Sequence, residues 1–144
     1  ASLKKRGRLA NNVLVILGTN GPIPAKPLRE ILDTIGPKRH IYWANINIRE
    51  SWEKQTNQFL KKLAAGHKNI TIVDWKTAST GKWSWFARDH EHPNTTGSRI
   101  YAKLVFEAIA RQGAAKNKPK AKPAPPKPKP ARIGMEAVLK STFV

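Results

Sequence analysis

Apolar residues fall into alternating runs and helical stripes along roughly the first 112 positions. Val13-Leu14-Val15-Ile16-Leu17 is an unbroken apolar run ending at Gly18. Continuous rather than alternating apolarity predicts a strand buried on both faces, as in a parallel sheet. Leu28, Ile31, Leu32 and Ile35 then recur at i, i+3, i+4, i+7, a helical stripe opened by Pro24 and Pro27 and stopped by Gly36-Pro37. His40–Ala44 reads as a second strand, with Asn45 and Asn47 just past its end. A helix starting at Glu50 or Ser51 carries Trp52, Phe59, Leu60 and Leu63 and ends at Gly66. Ile70–Val73 is a third strand, closing at Asp74-Trp75, and a loop with Trp83, Trp85 and Phe86 follows. The last helix, from about Thr96 to Arg111, turns Ile100, Tyr101, Leu104, Val105, Ala108 and Ile109 inward. Ahead of all this, the basic stretch Leu3–Asn12 reads as the last turns of a helix.

The order β-α-β-α-β-loop-α predicts an α/β fold with parallel strands and right-handed crossovers. Asn20, Asn45 and Asp74 each follow a strand, at the carboxyl edge where open α/β sheets place their sites. Residues 113–132 are different material, rich in Lys, Pro and Ala, with six of the eleven prolines between Pro119 and Pro130. Proline denies helix and the lysines repel one another, so a disordered or extended linker is expected there. Residues 133–144 form a short terminal segment, too short to fold alone. The expected organisation is therefore a domain over 1–112, a linker over 113–132 and that segment.

Charge sharpens the picture. The chain carries 27 Lys+Arg against 9 Asp+Glu, a net charge of +18. Such an excess attracts polyanions, whether nucleic acid, anionic lipid or an anionic cell-wall polymer. No aromatics interleave with the tail lysines, as a single-strand nucleic-acid platform generally requires. Zero cysteines exclude disulfides, thiol catalysis and Cys-based metal sites. The chain opens on Ala1-Ser2-Leu3 and not Met, so processing, or origin as part of a longer protein, is expected.

The chemistry concentrates in Asp89-His90-Glu91-His92-Pro93-Asn94-Thr95-Thr96-Gly97, just before the last helix. A carboxylate bonded to one imidazole nitrogen fixes the tautomer and stabilises the imidazolium when the other nitrogen takes a proton. Asp89 and His92, three apart on one loop, suit that pairing. His90-x-His92 lacks a third ligand nearby, so no metal is expected, and no cofactor. His40 and His67 read as an ordinary strand-edge and helix-end histidine, and the five Trp as core and pocket wall. Asn20, in Gly18-Thr19-Asn20-Gly21, has two readings. Its amide can donate to a developing oxyanion, or it simply tolerates the backbone of a tight turn. No serine sits in a recognisable nucleophile setting.

Together these residues resemble the SGNH (GDSL-like) hydrolase family, and within it the extracytoplasmic domain of bacterial peptidoglycan O-acetyltransferases and related acyltransferase-3 proteins. The likeness rests on Val13–Gly21, on Asn45-x-Asn47-x-Arg49 with Trp52-Glu53 and Asn57, on Val73-Asp74-Trp75, and on Asp89–Gly97, and it spans about residues 8–112. Gly21, where many relatives have Asp, agrees with the O-acetyltransferase branch. His90-Glu91 replaces a more usual small or apolar pair. The resemblance implies the last three parallel strands of a flavodoxin-like, three-layer αβα sandwich with strand order 2-1-3-4-5. It implies Asp89 and His92 as the acid and base of a Ser-His-Asp triad, with Asn20 in the oxyanion hole and Gly18 shaping its turn. The nucleophilic serine block and a second oxyanion glycine would precede residue 1, leaving the apolar first strand at an open edge. The implied partners are a glycan or acyl-ester substrate, an anionic wall polymer along the tail, and a membrane acyltransferase domain upstream. The alternative is a non-enzymatic basic α/β domain that binds nucleic acid or another polyanion.

Overall fold

The computed structural model describes residues 2–117, and the expectations for 118–144 lie outside the described residues. A four-residue helix α1 (Ser2–Lys5) is followed by β1 (Asn12–Val15), α2 (Ala25–Ile35), β2 (His40–Ala44), α3 (Glu53–Gly66), β3 (Ile70–Val73), α4 (Trp75–Ser79), a 3-10 turn over Trp83–Trp85, and α5 (Thr95–Asn117). The three strands form one parallel sheet in the order β1-β2-β3, with Val13 opposite Ile41 and Trp43 opposite Ile72. The fold is α/β, with helices on both faces of the sheet.

The central strand shows why it is central. All five residues of β2 are buried, and their alternation serves two cores. Ile41 and Trp43 face the α2/α3 layer with Val15, Ile35, Leu60 and Ile70. Tyr42 and Ala44 face the opposite layer, with Val73 and with Ala108 of α5. The helical stripe Leu28, Ile31, Leu32 packs on the first core, and Tyr101, Leu104, Val105 and Ile109 on the second. His40 stands at the start of β2, as expected, and is buried there, its Nε2 2.8 Å from Thr71 Oγ1.

Four expectations need correction. The first strand ends at Val15 instead of Leu17, and it is buried on one face only. Val13 and Val15 meet the α2/α3 layer, while Leu14 and Ile16 are 41% and 54% exposed, because α5 packs against β2 and β3 and leaves that face of β1 uncovered. Helix α3 starts at Glu53, after a turn through 50–52 in which Glu53 N–H donates to Glu50 O (3.1 Å). At the amino end, only Ser2–Lys5 of the basic stretch is helical, and Gly7 turns the chain at φ 66. Helix α5 continues past Arg111 to Asn117. The reason is local: Gly113 costs only about 1 kcal/mol in a helix, and no proline intervenes before Pro119.

Candidate active site

The loop between the 3-10 turn and α5 is held by its own backbone. Ala87 N–H donates to His92 O at 2.8 Å, His90 N–H donates to Ala87 O at 3.0 Å, and Phe86 bridges Pro93 antiparallel. Asn94 then fastens this loop to the helix. Its Oδ1 accepts from Thr96 N–H (3.0 Å) and Gly97 N–H (3.1 Å), capping α5. Its Nδ2 donates to Ser84 O (2.8 Å) and Phe86 O (3.0 Å). Sequence reasoning gave Asn94 no role, although an Asn just before a helical stripe is a standard cap signal.

On this frame Asp89 and His92 meet. Asp89 Oδ2 lies 3.0 Å from His92 Nδ1, and Asp89 Oδ1 accepts backbone N–H bonds from Glu91 and His92, each 2.9 Å. The carboxylate therefore orients the ring while the backbone orients the carboxylate. His92 Nε2 has no hydrogen-bond partner among the described residues, and the side chain is 69% exposed. His90, with φ 59, turns away toward Trp83, which it meets edge-on at 5.8 Å. The two histidines thus serve different neighbours.

The N–H groups of Glu91 and His92, then the His92 ring, pull the Asp89 pKa down to about 2. A depressed carboxylate pKa means the loop's bonds are fully present above the ordinary value of about 3.9 and fade as pH falls through the folded value. The side-chain carboxyl resonance of Asp89 is accordingly expected to titrate with a midpoint near 2. A midpoint near 3.9 would show that the three bonds do not persist in solution.

The other anticipated residues take two different places. Gly18 is buried at φ +120, and a Cβ there would sit 2.8 Å from the Thr56 methyl; its carbonyl accepts from Trp52 Nε1 at 3.1 Å. Glycine is thus demanded both by conformation and by the close approach of α3. Asn20 lies exposed on the turn beyond, at the carboxyl end of β1, and no hydrogen bond joins it to Asp89 or His92. The structure brings the acid and base together.

The block Asn45, Asn47, Glu53, Asn57 and Asp74 is a structural clamp. Asn57 bonds both N–H and C=O of Ile46 (2.9 and 2.8 Å), and Glu53 accepts from Ile48 N–H at 2.7 Å. Lys76, unanticipated from sequence, bonds Asn47 Oδ1 at 2.9 Å and pairs with Glu53 at 2.8 Å. Asp74 caps α4 through Thr77 N–H and accepts from Asn45 Nδ2 at 2.8 Å. Burial alone would raise its pKa, but the bonds from Asn45 and Thr77 lower it. This clamp fixes the β2–α3 and β3–α4 connections at the sheet's carboxyl edge.

Beside the dyad loop runs an apolar groove of about 490 Å³, bounded by Leu14 of β1 and Ile16 just beyond it, by Ser98, Tyr101, Val105 and Phe106 of α5, and by Pro93, which follows His92 in the chain. The Tyr101 hydroxyl at its wall is buried without a hydrogen-bond partner, and desolvation raises its pKa to about 12. The open edge of β1 and the dyad loop thus border one unfilled space.

No family model matches the chain. It is 32% identical over 106 residues to the Peptidoglycan O-acetyltransferase OatA of Listeria monocytogenes, which is 74% of this chain and 17% of that protein. The O-acetyltransferase OatA of Staphylococcus aureus matches with the same identity and coverage. YrhL of Bacillus subtilis is 31% identical over 97 residues, 67% of this chain and 15% of its own length. The chain is homologous to a segment of the peptidoglycan O-acetyltransferases. It spans about a sixth of the length of these relatives. Among its own described residues no helix is long and apolar enough to cross a membrane.

Proposed function

We propose that Asp89 and His92 are the acid–base half of an SGNH-type serine acyl-transfer site, and that the chain is part of an enzyme moving acetyl groups onto cell-wall glycan outside the cytoplasm. The observation that carries this reading is the 3.0 Å contact of Asp89 Oδ2 with His92 Nδ1, which leaves Nε2 unused. The names of the relatives support the acetyl group and the glycan. A polyanion-binding domain alone has no need of an imidazole oriented by a carboxylate.

In the complete site, His92 Nε2 takes the proton of a serine hydroxyl as its oxygen attacks the acetyl carbonyl. Asp89 stabilises the resulting imidazolium, and the Asn20 amide donates to the oxyanion, where one such donor is worth ~10²–10³ in rate. Collapse expels the donor's leaving group with the proton from His92 and leaves an acetyl-serine. A sugar hydroxyl then attacks that ester, giving its proton to His92, which returns it to the serine oxygen.

The serine is the missing part. Ser79 is buried and bonded to Asn47 and Trp75 O, Ser98 leans on Pro93 O, and among the described residues no serine hydroxyl bonds His92. A strand carrying the nucleophile, laid along the free edge of β1 with a helix in the adjoining groove, would complete the sheet, cover Leu14 and Ile16, and bring the serine toward His92. The 144-residue chain alone is therefore expected to hydrolyse p-nitrophenyl acetate no faster than buffer. Turnover that disappears in His92→Ala would overturn this.

A further inference from the structure

The loop that carries the dyad has one unusual backbone position. His90 sits at φ 59, and among the described residues it is the one non-glycine with a positive φ. That left-handed region imposes a steric cost on an L side chain, which glycine escapes and asparagine partly escapes. Such a conformation persists only where its surroundings over-determine it. Two features of this loop do so.

The first is the turn itself. His90 N–H donates to Ala87 O at 3.0 Å, and Ala87 N–H donates to His92 O at 2.8 Å. Between those two bonds the chain reverses at residue 90, and the reversal turns the next two N–H groups back toward Asp89. Glu91 and His92 N–H both reach Asp89 Oδ1 at 2.9 Å, while Oδ2 lies 3.0 Å from His92 Nδ1. Successive N–H groups gathered by a left-handed residue make an anion-binding concavity. Here the anion is the dyad's own carboxylate.

The second is the ring. His90 meets Trp83 at 5.8 Å and 89°, an edge-to-face arrangement. Its Nδ1 is buried without a hydrogen-bond partner, so on that side the ring holds by packing. Trp83 in turn packs on Phe86 at 5.9 Å. The 3-10 turn that bears it is bonded through Ser84 O to Asn94, the cap of α5. The His90 ring thus ties the tip of the dyad loop to the frame that holds its base.

We propose that His90 is a positioning residue for the acid–base pair: its left-handed backbone turns the Glu91 and His92 N–H groups onto Asp89, and its ring, seated against Trp83, keeps the loop in that form. This role rests on the reading of Asp89 and His92 as acid and base.

The test uses the full 144-residue chain and follows the Asp89 carboxyl resonance by NMR, because its titration midpoint reports whether the two N–H bonds are made. His90→Asn keeps a residue that tolerates the left-handed region and removes the ring. It is expected to raise the midpoint from about 2 toward the ordinary value of about 3.9, by at least about half a unit. His90→Val removes the ring and also opposes the backbone, so its midpoint is expected to rise further. Trp83→Ala is expected to act as His90→Asn does. Trp83 also meets Arg49 at 4.4 Å, so the two changes are combined to isolate the His90 contact. The double variant is expected to move no further than the stronger single one. Urea unfolding of His90→Asn is expected to match the parent, which separates positioning from general loss of stability. An unmoved Asp89 midpoint in His90→Asn, equal midpoints in the Asn and Val variants, additive shifts in the double variant, or early urea unfolding of His90→Asn would each overturn the role. None of these readouts needs turnover. A catalytic assay in which His92 proves dispensable would remove the acid–base reading and leave the loop result standing.

Discussion

Gly97→Ala is expected to cost roughly 3 kcal/mol of stability, at the upper end for overpacking a rigid site, and to separate Asp89 from His92. A Cβ at Gly97 would overlap the carbonyl oxygen of Trp85 and press on the Pro93 ring. Neither can give way easily. Trp85 O accepts the Asn94 N–H at 2.9 Å, and Asn94 in turn caps α5 and ties down Ser84 and Phe86. Relief of the clash must push the first turn of α5 away from the 3-10 turn, and the dyad loop spans that gap. Urea unfolding checks the stability, and the His92 ring shifts check the loop. Gly113→Ala is the control, since nothing lies within 4 Å of a Cβ there and alanine favours a helix interior by about 1 kcal/mol. A Gly97→Ala chain as stable as the parent would show that the helix is not seated on the Trp85 backbone.

How much of this was legible in the sequence depends on which force set each feature. The central strand, the stripes of α2 and α5 and the glycine stop of α2 were readable because burial and periodicity are properties of the chain itself. Val13–Leu17 was read correctly as apolar and incorrectly as covered on both sides. Coverage depends on what packs against a strand, and periodicity holds no information about an absent layer. Asp89 and His92 were readable because three residues of loop suffice to bring them together. Lys76 was not, since its partners Asn47 and Glu53 lie on the preceding strand-to-helix connection and meet it only after the sheet assembles. The same limit applies to Arg49 and Trp83, which the β2–α3 connection and the 3-10 turn bring together, the guanidinium carbon 4.4 Å from the ring centroid. The polar block at the strand ends mostly holds the backbone, and it places the site without joining it.

Asn20 lies exposed on the turn after β1. Its turn ends β1, the strand with the free edge, and the groove between β1 and α5 is the space a further strand and helix would fill. With that space filled, the orphaned Tyr101 hydroxyl gains a candidate partner and the apolar edge ceases to be a template for unwanted strand pairing.

Placing this chain within a full-length relative is the most direct test, and it carries the largest expected effect. In a full-length relative, the matched stretch is replaced by the corresponding residues of this chain, and acetyl groups on wall glycan are counted in cells lacking the native enzyme. A general base typically contributes 10²–10⁴ in rate, because without it the serine must shed its proton to water. The chimera is expected to acetylate, and His92→Ala within it to fall by at least about 10²-fold, with Asp89→Asn falling in the same direction. A His92→Ala chimera that transfers acetyl groups as well as its parent would contradict the assignment of this loop as the acid–base half of the site.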